Sequence, residues 1–202
     1  MKSRYFYLNQ LGFPHIPYKT QTDNPENDWG NHSNIATDGC GLCSAVMVEH
    51  FLDKNSEYSL YDAVELSEKC GANHRAGTDY LIFAPEFAKK RGFSLEITDD
   101  PDKLREHLKN GGAAVIHCRN DRPEVYECLF TKGGHYITAV GLDEKGRAIV
   151  LDPSYKLGKY DTPQGRERIE LLDDYIALCS IETLVEETYC KKPNCFYLFG
   201  KK

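Results

Sequence analysis

The apolar pattern changes its period near residue 92, and this change limits the folds open to the chain. Before that point, apolar residues recur at helical spacing and predict helices over residues 40–53, 59–70 and 78–91. After it, short apolar runs bounded by glycine, asparagine and aspartate predict strands. Because helices dominate the first half and strands the second, the pattern favours an α+β fold, a helical first half packed on an antiparallel sheet, over a doubly wound sheet.

The second half also predicts two helices among its strands. One helix is expected near residues 102–109, ended by Asn110-Gly111-Gly112, and another near residues 181–188. The expected strands are residues 94–98, 113–118, 135–142, 147–152, 175–179 and 195–200. Since no linker interrupts the pattern, we expect one domain over residues 1–202, with residues 1–15 as an N-terminal arm.

Composition and charge exclude several classes of function. The formal net charge is −6, so no basic face for a nucleic acid is expected. No apolar run approaches the ~18 residues of a membrane helix, and the first residues lack the apolar stretch of a signal peptide. The sequence as written therefore predicts a cytoplasmic protein, or a secreted one if a signal has been removed.

The cysteines do not form the pattern of a small disulfide-stabilised protein. Disulfide frameworks are typical of short secreted chains, and this chain is neither short nor visibly secreted. Most of the thiols are therefore expected to be reduced, buried and inert. A disulfide between Cys190 and Cys195 remains an alternative that the sequence does not decide. The eight positions are Cys40, Cys43, Cys70, Cys118, Cys128, Cys179, Cys190 and Cys195.

Residues 36–48, ATDGCGLCSAVMV, place Cys40 and Cys43 three apart where a loop becomes a helix. A helix N-terminus favours the thiolate form of a cysteine, which is the nucleophilic form. This favours Cys40, since Cys43 lies about one turn further in, on or near the buried side. Three alternatives stay open: two core thiols, a redox pair, or a zinc site that also uses Cys190 and Cys195.

His135 and Asp152 are brought together by a predicted hairpin. If residues 143–146 form the turn, Leu142 pairs with Arg147, and Ile137 then lies opposite Asp152. His135 becomes a diagonal neighbour of Asp152 on the same face, roughly 7–8 Å away at the backbone. A cysteine nucleophile needs a base, and the base needs an orienting group, so the pair is a candidate for both roles. The alternative, that the Asp-Pro dipeptide only ends a strand, stays open.

The order Cys, His, Asp, with the cysteine at a helix start and the other two on strands, resembles the papain-like cysteine peptidases. More narrowly, the sequence is similar to cysteine peptidase family thirty-nine, the bacteriocin-processing or double-glycine peptidases, and particularly to their stand-alone relatives. The matching segments are IPYKTQTDNPENDW (16–29), TDGCGLCSAVMV (37–48), GGHYITAVGLDEKG (133–146) and AIVLDPS (148–154).

The resemblance implies a papain-like fold and hydrolysis of peptide bonds. It places the nucleophile on Cys40, the base on His135 and the orienting acid on Asp152. The oxyanion-hole glutamine of the family falls on Gln21, with Gln10 as the alternative. No metal or organic cofactor is implied, and the expected partner is a peptide or protein substrate. Acyl transfer to an acceptor other than water stays open, and the oligomeric state is undetermined.

Overall fold

The computed structural model describes residues 5–19, 33–73, 77–122, 124, 126–173 and 175–202. The helices of the first half are α1 (Ile35–Asp38), α2 (Cys40–Leu52), α3 (Leu60–Cys70) and α4 (Tyr80–Arg91), after a 3₁₀ turn at Gln10–Gly12. The second half contains β1 (Phe93–Thr98), α5 (Pro101–Lys109), β2 (Ala113–Cys118), β3 (His135–Leu142), β4 (Ala148–Leu151), α6 (Pro163–Arg168), β5 (Glu170–Asp173), β6 (Ile176–Cys179), α7 (Ile181–Glu187), a 3₁₀ turn at Tyr189–Lys191 and β7 (Phe196–Lys201). The α+β prediction is confirmed.

Local side chains decide where the predicted helices begin and end. The hydroxyl of Ser59 accepts the N–H of Asp62, and the Asp62 carboxylate accepts the N–H of Ser59, so a capping box starts α3. Helix α4 begins at Tyr80, two residues later than the sequence pattern predicts, because the Asp79 side chain caps it. Gly92, with a φ of 75°, ends the same helix in the left-handed conformation that glycine adopts without strain.

The strands form one antiparallel sheet with helices on both faces. Among the described residues, the sheet has seven strands in the order β1-β7-β2-β3-β4-β6-β5. On one face, Met47 of α2 belongs to a core cluster with Val140 and Leu151. On the other face, Leu104 of α5 is buried in a cluster with Ala139, whose small side chain leaves space above the sheet. A helix therefore fills that space.

The β3–β4 hairpin keeps the predicted register only at the end that carries the candidate base and acid. At the turn, Leu142 pairs with Ala148, whereas the sequence predicted Arg147 as its partner. A β-bulge in β3 absorbs the extra residue. Beyond the bulge, Ala139 pairs with Val150 as predicted, so the strand ends near the candidate site face each other as expected.

Besides the four-residue helix α1, two elements of the second half were absent from the sequence prediction. Strand β5 pairs with β6 at the edge of the sheet, and all four of its residues are exposed. It therefore lacks the alternation of apolar and polar residues by which a half-buried strand is detected. Helix α6 is only six residues long, and Thr162 caps it by accepting the N–H of Gly165. So short a helix shows no measurable apolar period.

The eight cysteines are free thiols, and Cys43, Cys118, Cys179 and Cys195 are buried. Among the described residues, no helix is long and apolar enough to cross a lipid bilayer.

Candidate active site

Cys40 is the first residue of α2, the helix that packs against the centre of the sheet. Gly39 caps the helix, and α1 ends directly before it at Asp38. Gly41 allows α2 to approach its neighbours closely, because a Cβ at this position would lie 3.1 Å from Tyr80 and 3.2 Å from Tyr136. The half-buried thiol of Cys40 is thus placed at a helix N-terminus where the unpaired N–H groups favour negative charge.

His135 lies between Cys40 and Asp152. Its Nε2 is 2.8 Å from Oδ1 of Asp152, and both side chains are almost entirely buried. The thiol of Cys40 lies near enough to the His135 side chain to help raise the pKa of His135. Because Nε2 is engaged by the carboxylate, Nδ1 is the ring nitrogen left for the thiol. The structure thus places the three residues next to one another, although 95 positions separate the first two in sequence.

The surroundings of His135 favour its protonated form. Burial alone would lower the pKa of His135, but the hydrogen bonds and negative charges of Asp152 and Cys40 outweigh that effect and raise it to about 9. For Asp152, burial alone would raise the pKa, whereas His135 and then Lys159 hold it well below its usual range. The carboxylate and the imidazole therefore form a buried ion pair at neutral pH.

Asp152 has further donors that the sequence reasoning missed. Ser154 donates its backbone N–H to Oδ1 over 2.9 Å, and its hydroxyl lies 3.0 Å from Nε2 of His135. Lys159 and Tyr160 both donate to Oδ2, the tyrosine over 2.6 Å. A lysine and a tyrosine in a glycine-containing turn carry no sequence signal for such a role, because polar turns are ordinarily solvated.

The N-terminal segment supports the chain just after β4. The hydroxyl of Tyr7 donates to the carbonyl oxygen of Asp152 over 2.8 Å, and the backbone N–H of Gln10 donates to that of Pro153 over 2.7 Å. The ring of Tyr7 stacks on Tyr175 with 4.3 Å between centroids. The predicted arm is therefore packed against the segment that carries the candidate acid.

Of the two candidate oxyanion-hole glutamines, Gln10 lies within the described residues. Gln21 lies outside the described residues. Gln10 is buried, and its Nε2 donates to the carbonyl oxygen of Ala36 over 3.0 Å. Its Oε1 is buried without a partner among the described residues. The amide nitrogen carries two N–H donors, so its hydrogen bond to Ala36 occupies only one of them.

Three of the four other histidines in the described part of the chain are engaged elsewhere. His50 is hydrogen-bonded to the carbonyl oxygen of Tyr58, and His107 to that of Phe199. His117 stacks on Tyr136, and burial lowers its pKa to about 3. Within those same residues, no group of three His, Cys, Asp or Glu side chains is arranged to hold a metal ion.

Comparison with known protein families shows which family this chain belongs to. The family model described as the Peptidase_C39-like family matches residues 13–178. The chain belongs to this family. It is therefore a cysteine peptidase, an enzyme whose substrates are peptides, and the predicted family is confirmed.

A solved structure supports the same fold. The peptidase domain of Streptococcus ComA, described as a bifunctional ABC transporter involved in a quorum-sensing pathway, matches with a TM-score of 0.50 and 18% identity. The match covers 92% of this chain and 100% of that domain, and it confirms the predicted papain-like fold. A search of curated proteins gives no significant match.

Proposed function

We propose that this peptidase cleaves peptide bonds with Cys40 as nucleophile, His135 as general acid and base, and Asp152 as orienting acid. The observation that carries the proposal is the position of His135, whose Nε2 is 2.8 Å from Oδ1 of Asp152 and whose side chain also interacts with the nearby Cys40 thiol. A nucleophile, a base and a group that orients the base are the three parts such chemistry requires.

The reaction begins from a Cys40 thiolate beside a His135 imidazolium. The sulfur attacks the carbonyl carbon of the peptide bond, and the carbonyl oxygen becomes an oxyanion. When the carbon–nitrogen bond breaks, His135 transfers its proton to the departing amine and becomes neutral. The neutral imidazole then takes a proton from water, which attacks the thioester and restores the thiolate. Asp152 keeps the imidazole in one tautomer and orientation throughout.

The oxyanion needs hydrogen-bond donors close to the nucleophile. The backbone N–H of Cys40 is one of the first N–H groups of α2, which have no acceptor within the helix. The second donor in the proposal is the side-chain amide of Gln21, which is assigned from the family resemblance. Each such donor is worth ~3 kcal/mol in the transition state.

Burial of Cys43 argues against the redox and zinc alternatives. Its side chain is fully buried in the core, and burial together with the charge of Cys40 raises its pKa. A thiol in that state is a poor partner for disulfide exchange or metal binding, both of which use the thiolate. Cys43 is therefore proposed to be a packing residue.

Selective alkylation tests the nucleophile. Iodoacetamide at pH 6 should modify Cys40 before the other seven thiols, with mass spectrometry of peptides locating the label. Digestion of a peptide library should be lost in Cys40→Ala and largely retained in the matched variant Cys43→Ser. Equal labelling of all thiols, or cleavage that survives in Cys40→Ala, would contradict the assignment. Adding a primary amine and weighing the products separates hydrolysis from acyl transfer.

A further inference from the structure

Asp152 is shared by two basic side chains. His135 engages its Oδ1, whereas Lys159 engages Oδ2 through a salt bridge. The Lys159 side chain is only 12% exposed, and its Nζ also donates to the hydroxyl of Ser154 over 2.8 Å. Tyr160 donates to the same Oδ2. Each carboxylate oxygen therefore has a cation of its own.

The position of Lys159 is set by the turn that contains it. Its backbone N–H donates to the carbonyl oxygen of Lys156 over 3.0 Å, and Gly158 before it has a φ of 79°. The next residue, Tyr160, is buried and packs edge-on against Phe130. The ammonium group is thus held next to Asp152 by ordered backbone on both sides, unlike a lysine on an open surface.

The pKa values of the neighbouring tyrosines, buried cysteines and His117 are shifted so that these groups are uncharged near neutral pH. They come from the N-terminal segment, β2, β6 and the turn itself: Tyr7, Cys118, Cys179, His117 and Tyr160. Burial raises the pKa of the two thiols and of Tyr7 and Tyr160, and it lowers that of His117 to about 3. Among the described residues, Lys159 is therefore the one cation besides His135 that contacts Asp152.

A second cation on the carboxylate changes the acidity of the imidazolium. The negative charge of Asp152 stabilises protonated His135, and a lysine on the opposite oxygen offsets part of that charge. The lysine also repels the imidazolium directly. Both effects make His135 release its proton more readily than it would beside Asp152 alone. In the proposed reaction, this is the proton that the departing amine requires.

We propose that Lys159 is a positioning residue of the active site: by sharing Asp152 with His135, it fixes the carboxylate and makes the imidazolium a stronger acid. The proposal rests on the proposed roles of Cys40, His135 and Asp152. It predicts a specific electrostatic sign, because removing a cation raises the pKa of every acid near it. A residue that served only to pack the turn would have no such effect.

The direct test is titration of His135 by NMR in the folded protein. Two-dimensional proton–nitrogen spectra of the imidazole rings follow the titration, and His135→Gln identifies the signal. The variant Lys159→Met keeps an unbranched side chain of similar length but removes its charge. In this variant, the pKa of His135 should rise by about one unit. Lys156→Met is the matched control, since this exposed lysine of the same segment should leave the titration unchanged.

A second arm separates proton donation from nucleophilic attack. In Lys159→Met, kcat/KM at pH 7 should fall ~3- to 10-fold, because the departing amine needs the proton of His135. The rate at which iodoacetamide alkylates Cys40 should stay within about twofold, since iodide leaves without a proton. Lys159→Arg, which keeps the charge, should hold the alkaline limb of kcat/KM at its wild-type position.

The possible results distinguish failure of the role proposed for Lys159 from failure of the proposed peptidase mechanism. If no variant or wild-type protein cleaves peptides but the His135 titration moves as expected, the proposed peptidase function fails and the coupling through Asp152 stands. If the His135 pKa is unmoved or falls in Lys159→Met, or moves equally in Lys156→Met or Lys159→Arg, the role of Lys159 is overturned. Equal losses of turnover and alkylation with an unmoved titration would show a packing role only and would overturn it as well.

Discussion

The Nε2 atom of His135 lies 2.8 Å from Oδ1 of Asp152, and both side chains are almost entirely buried. A buried carboxylate that accepts from an imidazole fixes both the tautomer and the orientation of the ring. This relationship sets the properties of the candidate site. It makes the imidazole basic and leaves the other ring nitrogen, Nδ1, free of the carboxylate. It also depends on partners from the N-terminal segment and from the turn after β4.

Replacing Asp152 by asparagine should remove most of the activity without unfolding the protein. The amide keeps the shape but loses the charge and can select the wrong imidazole tautomer, so kcat/KM should fall by ~10²- to 10⁴-fold. Steady-state assays on a cleaved library peptide measure the loss. Asp161→Asn, an exposed position nearby, is the control and should retain wild-type turnover. Full activity in Asp152→Asn would remove this residue from the mechanism.

The pH profile of kcat/KM should have an alkaline limb near pH 9. The pKa of His135 is raised to about 9, so the imidazolium that protonates the leaving amine is lost as the pH rises through that value. Asp152 stays ionised over the whole neutral range, because its pKa is lowered. Initial rates between pH 5 and pH 10.5 at low substrate concentration give the profile. A limb near the ordinary histidine value of about 6.5 would show that Asp152 and Cys40 do not stabilise the imidazolium.

Gly41→Ala should disturb the helix that carries Cys40. The added methyl group would lie 3.1 Å from the ring of Tyr80 and 3.2 Å from that of Tyr136, so α2 or the rings must move. Overpacking of this kind costs ~1–3 kcal/mol of unfolding free energy, and the shift should also slow alkylation of Cys40. Urea denaturation measures the first effect. Gly12→Ala, where a Cβ meets nothing within 4 Å, should leave both quantities nearly unchanged.

Tyr7→Phe should weaken the attachment of the N-terminal segment. The substitution keeps the ring stacked on Tyr175 but removes the hydroxyl that donates to the carbonyl oxygen of Asp152. Loss of this partly buried hydrogen bond should lower the unfolding free energy by ~1 kcal/mol, with a smaller effect on turnover than Asp152→Asn. Thermal or urea denaturation gives the comparison with Tyr61→Phe, whose side chain is 64% exposed and should be neutral. Equal stability of the two variants would contradict the structural role of Tyr7.

Much of the fold could be predicted because it depends on interactions between residues close in sequence. The start of α3 follows from the Ser59–Asp62 pair, and the end of α4 from Gly92, both within one turn of the helix they limit. The hairpin register near the site follows from the two-residue period of a strand, since a slip of one residue would turn every apolar side chain to the wrong face. The bulge near Leu142 was not predicted, because it alters the pairing near the turn but leaves the apolar face of the hairpin unchanged.

The sequence by itself therefore determined the segregated helices and strands, the placement of Cys40 at a helix start, and the hairpin that makes His135 and Asp152 neighbours. Only the tertiary structure decided that α2 packs where the Cys40 thiol meets the imidazole, and that Lys159 and Tyr160 turn inward to share the carboxylate. The physical reason is the range of the interactions. Periodicity and capping are local, whereas burial of a lysine against Asp152 depends on which distant surfaces the packed sheet encloses.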